Sequence, residues 1–171
     1  MVCGNGGSAA DSEHIVGELM KGFLKKRQIS EKEKDKLKSL FPGEWDYLSK
    51  NLQGALPAIS LVSHPALSSA FINDVAADMV FAQQVYGYAK AGDVLLGIST
   101  SGNAKNVANA VMVARAAGMK TIGLTGGKGG FLQSLCDVTI RVPADETFKI
   151  QEYHLPVYHA LCAMLEEEFF D

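Results

Sequence analysis

Two glycine- and hydroxyl-rich stretches and two groupings of imidazole with carboxylate or amide are the parts of this sequence whose residue types could do chemistry. Val2-Cys3-Gly4-Asn5-Gly6-Gly7-Ser8-Ala9 leads into a segment of helical period expected over 9–24, and Leu96-Gly97-Ile98-Ser99-Thr100-Ser101-Gly102-Asn103 leads into another that opens at Ala104. Glycines let backbone N–H groups approach an anion, a helix N-terminus adds partial positive charge, and hydroxyls donate to phosphate oxygens. Ordinary turns and helix caps use the same residues, and it is the triplet Ser99-Thr100-Ser101 that favours a phosphate. On the first helix His14 and Glu18 stand on one face, beside an apolar stripe of Ile15, Leu19 and Phe23. Past a phosphate loop such a pair can serve as acid, base or metal ligand, and it can equally be a surface ion pair. Near the C-terminus, Gln151-Glu152-Tyr153-His154-Leu155-Pro156-Val157-Tyr158-His159 adds two imidazoles, His154 and His159, each of which could be structural.

Gly4-Asn5-Gly6-Gly7-Ser8-Ala9 also satisfies the relaxed dinucleotide fingerprint G-x-G-x-x-A. A dinucleotide site needs a second strand ending in Asp or Glu about 20 residues further on, to hold the ribose. That window reads Phe23-Leu24-Lys25-Lys26-Arg27-Gln28, which is basic and not strand-like. No nucleotide or redox cofactor is expected.

The elements that must position these groups alternate. Four apolar, β-branched runs, 58–62, 93–98, 120–124 and 137–142, read as buried strands, with helical period between them. Over 104–117, Val107, Ala110, Val111 and Ala114 share one stripe, and Gly118 ends it. Such alternation predicts an α/β fold, a parallel sheet covered by helices on both faces, with ligands beyond the carboxyl ends of the strands. Met1–Cys3 is short for a strand yet runs straight into a glycine loop, as though a preceding segment were missing. Residues 30–39 carry interleaved charges and read as a solvated helix or loop; Trp45, Tyr47, Leu48 and Leu52 could dock this excursion on the domain or on a neighbour.

Composition excludes several classes. The 171 residues carry 16 Lys and Arg against 19 Asp and Glu, a net charge of -3, which gives no electrostatic reason to bind nucleic acid or an anionic membrane. No run of about 18 apolar residues occurs, and no signal-peptide pattern opens the chain, so a cytoplasmic location is expected. Cys3, Cys136 and Cys162 lack metal-knuckle spacing and read as small core residues.

Taken together the motifs resemble those of the sugar isomerase (SIS) domain family, and within it the phosphoheptose isomerases. The matching residues are Gly4-Asn5-Gly6-Gly7-Ser8 with His14-x-x-x-Glu18, Asn73-Asp74, Gly92-Asp93-Val94-Leu95-Leu96-Gly97-Ile98 through Ser99-Thr100-Ser101-Gly102-Asn103, Arg141-Val142-Pro143, and Gln151-Glu152 with His159. The resemblance spans nearly the whole chain, and the pairing of His14/Glu18 with Gln151/His159 is its most specific part. It implies one three-layer sandwich over 1–171 with a five-stranded parallel sheet, flavodoxin-like, assembled as a homotetramer with active sites between subunits. The family's helical segment ahead of the first strand is expected to be missing, 25–56 is a charged and aromatic excursion, and Ala104 stands where the second loop often has a serine.

The implied reaction converts a ketose phosphate to an aldose phosphate, sedoheptulose 7-phosphate to glycero-manno-heptose 7-phosphate, on the way to bacterial surface heptose. Glu18 matches the base and His159 its partner acid/base. Ser8, Ser99, Thr100 and Ser101 match phosphate or sugar contacts, Asn5 and Asp74 line the sugar, and Gly6, Gly7, Asn73, Asn103 and Gln151 fall among the substrate-binding positions. His14, Glu18, Gln151 and His159 match a set that holds zinc in some members. On an unbroken helix Gln151 and His159 would lie about 12 Å apart. Either that helix starts later, with Pro156 in its first turn, or the two serve different subunits' sites. A non-catalytic phosphosugar sensor or adaptor is the alternative, which would not need both Glu18 and His159.

Overall fold

The computed structural model describes residues 1–170. In chain order the elements are β1 (Val2–Cys3), α1 (Gly7–Met20), α2 (Glu31–Leu40), α3 (Trp45–Asn51), α4 (Pro65–Asp74), a 3-10 turn (Ala77–Met79), α5 (Val80–Tyr88), β2 (Val94–Ile98), α6 (Lys105–Ala116), β3 (Lys120–Thr125), α7 (Leu132–Leu135), β4 (Val138–Arg141) and α8 (Thr147–Phe169). The strands form one parallel sheet in the order β1-β2-β3-β4, with Val2 opposite Leu96, Ile98 opposite Leu124 and Thr125 opposite Arg141.

Because strand side chains alternate between faces, neighbouring residues enter different cores. Leu95 packs with Val85, Val107, Val111 and Leu132 under α5, α6 and α7. Leu96 and Ile98 pack with Ile15, Leu124, Tyr158 and Cys162 under α1 and α8. The sheet is therefore the middle of three layers, as the strand–helix alternation predicts.

The sheet has four strands and not five. The run over 58–62 makes a single bridge, Ser60 with Val2, through bonds from Val2 N–H to Ile59 O and from Leu61 N–H to Val2 O, both 2.9 Å. Its partner β1 is two residues long, so the pairing stops there. The short start is nonetheless ordered as a strand, since its other edge pairs with β2.

The first helix ends at Met20 and not near 24. The amides of Phe23, Leu24 and Lys25, which would continue it, donate instead to the Glu166 carboxylate at 2.6 to 3.0 Å. Arg27 completes the arrangement. Its Nε meets Glu166 Oε1 at 2.7 Å, and its other nitrogens donate to Leu19 O and Glu18 O, carbonyls of the last turn of α1. Both side chains are essentially inaccessible, at 0% and 1% exposure.

Burial by itself would push the Glu166 carboxyl up; the three backbone amides and Arg27 outweigh it and hold the group at about 2. The charged excursion folds as the pair α2 and α3, opened by a capping box between Ser30 and Glu33. The two helices bury no residue, so Trp45, Tyr47, Leu48 and Leu52 do not sink into the sheet domain. No helix among the described residues is long and apolar enough to cross a membrane.

Glu166→Gln should lower stability at neutral pH by about 3 to 5 kcal/mol, the cost of stranding a buried partner charge. Since the folded state depresses this carboxyl, the stabilisation is full above the ordinary value of 4.5 and is lost as pH falls toward about 2. Denaturant titrations across that range should show a steep acid limb in the parent protein and a shallower one in the variant.

Candidate active site

The carboxyl ends of β1 and β2 open into a cavity of about 330 Å³ lined by both glycine and hydroxyl loops: Asn5, Gly6, Gly7 and Ser8 from the first, and Ser99, Thr100, Ser101 and Ala104 from the second. Thr147 and Gln151 of α8 close it. Three helices, α1, α6 and α8, thus begin at one cavity, and none has a side-chain cap on its first turn. Their converging dipoles favour an anion there. Sequence reasoning missed Thr147, whose segment Asp145-Glu146-Thr147 carries no strand or glycine signal.

Glycine is required where the chain closes up. Gly102 adopts φ +67°, and a Cβ on it would run into the carbonyl of Gly129. A Cβ on Gly7 would meet the Gln151 side chain, so Gln151 lies directly over the first loop. Asn103 serves the same junction, accepting from Phe131 N–H at 3.0 Å. Asn5 pairs side chain to side chain with Asn106, locking the two loops together. Asn73 and Asp74 bond to each other at the exposed end of α4 and are not among the cavity's lining residues.

The residues expected to act as acid and base form a second group. α1 and α8 run side by side from the cavity, and His14 Nε2 lies 3.3 Å from Glu18 Oε1 while His14 Nδ1 lies 2.9 Å from the Tyr158 hydroxyl. The His159 ring packs edge-on to His14, centroids 5.1 Å apart, and its Nε2 is buried without a partner. Lys21 holds Glu18 Oε2 at 2.8 Å, and chiefly for that reason the Glu18 carboxyl lies below its ordinary range. His154 is wholly buried with neither ring nitrogen bonded, and burial pushes its imidazole down, toward the neutral form.

The zinc set does not assemble within one protomer. α8 is unbroken from Thr147 to Phe169 with Pro156 inside it, so the late helix start that could bring Gln151 and His159 together does not occur. Gln151 lies at the cavity, about 12 Å along the helix from His159. Among the described residues no group of three or more His, Cys, Asp or Glu could hold a metal.

A Gly102→Ala variant should bind inorganic phosphate at least about tenfold more weakly in calorimetry, because the left-handed backbone and the close carbonyl would displace the loop, at an estimated cost of more than 1 kcal/mol.

The SIS domain family profile matches residues 52–126. The chain is 42% identical over 169 residues to a phosphoheptose isomerase of Nitratiruptor sp., covering 99% of this chain and 76% of that one. It is 40% identical over 169 residues to a probable phosphoheptose isomerase of Thermoplasma acidophilum, covering 99% and 79%. The solved phosphoheptose isomerase of Neisseria gonorrhoeae aligns with a TM-score of 0.76 at 34% identity over 97% of this chain and 74% of that chain. That of Francisella tularensis aligns with 0.77 at 34%, over 97% and 75%. With its hydroxyl-lined anion cavity and its His14–Glu18 pair, and at this level of identity over nearly its whole length, the chain belongs to the phosphoheptose isomerases, enzymes of the SIS domain family.

Proposed function

We propose that this isomerase interconverts sedoheptulose 7-phosphate and D-glycero-D-manno-heptose 7-phosphate, a step toward heptose. The observation that carries the reading is the three uncapped helix N-termini meeting the serine-threonine loop in one cavity, with a carboxylate–imidazole group along the same two helices. The phosphate sits on Ser8, Ser99, Thr100 and Ser101. Glu18 removes the proton beside the carbonyl, leaving an enediolate, and His159 exchanges the proton on oxygen. The Lys21 ammonium, by holding the Glu18 carboxyl below its ordinary range, keeps it an anion able to accept a proton.

Glu18 stands eleven residues beyond Gly7, about 16 Å along α1. An extended heptose phosphate reaches only about 10 Å from phosphorus to its carbonyl end. One protomer's cavity and its own Glu18 are thus too far apart for a single substrate, which supports a homo-oligomer, a tetramer, in which Glu18 and His159 of one copy complete the cavity of another. Zinc enters no step here, because its donor set does not converge within a protomer; metal content after purification without chelator, and activity after chelation, test whether assembly brings donors together. Three free thiols, pushed up to about 11 to 12 chiefly by burial, suit the reducing cytoplasm.

In D2O, the parent enzyme should exchange the carbon-bound proton of sedoheptulose 7-phosphate, read by NMR. Glu18→Gln should lose both exchange and turnover by about a hundredfold to ten-thousandfold while still binding the sugar. A parent protein that binds phosphosugars without exchanging any would be a sensor or adaptor instead.

Subunit sharing has its own test. Ser101→Asp, which places a charge in the phosphate cavity, and Glu18→Gln should each be inactive alone. Unfolded together and refolded as mixed oligomers, they should regain a fraction of parent activity, since some sites then combine an intact cavity with an intact base. No recovery would mean that each protomer works alone.

A further inference from the structure

Among the described residues no cation lines the cavity between the two loops. Its walls are glycines, hydroxyls, the amides of Asn5 and Gln151, and the apolar side chains of Ile98 and Ala104. The lysines nearest to it along the chain, Lys105 and Lys149, are paired with Asp78 and Glu146. A phosphate seated there meets helix dipoles and neutral donors. Each hydroxyl that donates to an anionic oxygen makes a charge-assisted bond, about twice as strong as a neutral one, so the number and placement of hydroxyls decide how well the anion is held.

Those hydroxyls lie at two depths. Ser8 and Ser99 are 3% and 5% exposed and form the floor, whereas Ser101 and Thr147 are exposed and stand at the rim. Ser99 and Ser101 each accept an amide of their own loop, from Ala104 at 3.4 Å and from Asn103 at 3.1 Å, which leaves their O–H protons to donate elsewhere. The three helix starts at the cavity are unequal in this respect. α1 brings Ser8 and α8 brings Thr147, but α6 begins behind Ala104, whose side chain donates nothing.

A hydroxyl residue at a helix start ordinarily serves as a cap. Thr147 does not. The capping position is Glu146, whose carbonyl already takes the Ile150 N–H at 2.9 Å, and no hydrogen bond among the described residues engages the Thr147 hydroxyl. Thr147 and Gln151, four residues apart, share the helix face that closes the cavity.

We propose that Thr147 is a phosphate-binding residue, its hydroxyl donating to a phosphate oxygen from the α8 wall and supplying the contact that Ala104 leaves out of the α6 wall. The role rests on the reading of this cavity as the seat of the substrate's phosphate. Thr147 neither removes nor delivers a proton. Its contribution is therefore the same before and during the chemical step, and it belongs to KM and not to kcat.

The test uses the full-length protein with inorganic phosphate as the probe. Thr147→Val keeps the β-branched shape and removes the hydroxyl, and Thr147→Ser keeps the hydroxyl. In calorimetry Thr147→Val should bind phosphate about tenfold to a hundredfold more weakly than the parent, and Thr147→Ser within about threefold of it. The position is exposed, so the thermal unfolding midpoints of all three should coincide. With sedoheptulose 7-phosphate, the KM of Thr147→Val should rise by a similar factor at parental kcat. Parental phosphate affinity in Thr147→Val, or an equal loss in Thr147→Ser, overturns the proposal. A parent protein that binds no inorganic phosphate would overturn the phosphate reading of the cavity, and this role with it.

Discussion

The buried pairing of Glu166 with Arg27 is the constraint on which the rest of this structure hangs. It ties together the end of α8, the end of α1 and the segment leaving α1, and it does so with backbone groups on both sides: amides of Phe23 to Lys25 on the carboxylate, carbonyls of Glu18 and Leu19 on the guanidinium. The Phe170 ring lies over the guanidinium at 4.6 Å and helps exclude water. Glu18 is thus anchored through its own carbonyl to Arg27, while its carboxylate meets Lys21 and His14.

The two ends of the α1–α8 pair are organised on opposite principles. At the cavity, helix starts are left uncapped and small residues predominate, so the protein supplies donors and few charges of its own. Further along, charged and aromatic groups crowd together, and buried polar atoms of Asp11, His154 and His159 are left without partners. The first arrangement suits an anion, the second a transfer of protons. Because both lie along the same two packed helices, the distance between them is fixed.

Much of this was legible in the residues themselves. The runs around 94–98 and 120–125 are continuous and apolar because helices cover both their faces, and the two ligand loops follow from glycines and hydroxyls at strand ends. That the run over 58–62 would not become a strand was not legible, because its pairing depends on how long β1 is and not on its own composition. Arg27 closes a run of three basic residues, Lys25 to Arg27, that reads as polar and not strand-like, and the carboxylate it pairs with in the interior lies 139 positions away. Pro156 suggested a helix start. It lies on the exposed side of α8, opposite the buried series Ile150, His154, Tyr158, Cys162 and Glu166, so the carbonyl it leaves unbonded can face water and the helix continues. Tyr158 gave no signal of its own, since only packing reveals that its hydroxyl ends on His14 Nδ1.

The α2–α3 pair leaves the domain and returns to it at adjacent points: Gln28 bridges Gln53, and Gly54 donates to the Arg27 carbonyl at 2.7 Å. Ends that already touch can be joined by a tight turn or by dozens of residues at nearly the same entropic cost, because loop closure grows only with the logarithm of length. Lineages could therefore gain, trim or rewrite this appendage without moving Glu18 or the phosphate loops. Its length and surface can change while the cavity and the helices beneath it stay in place.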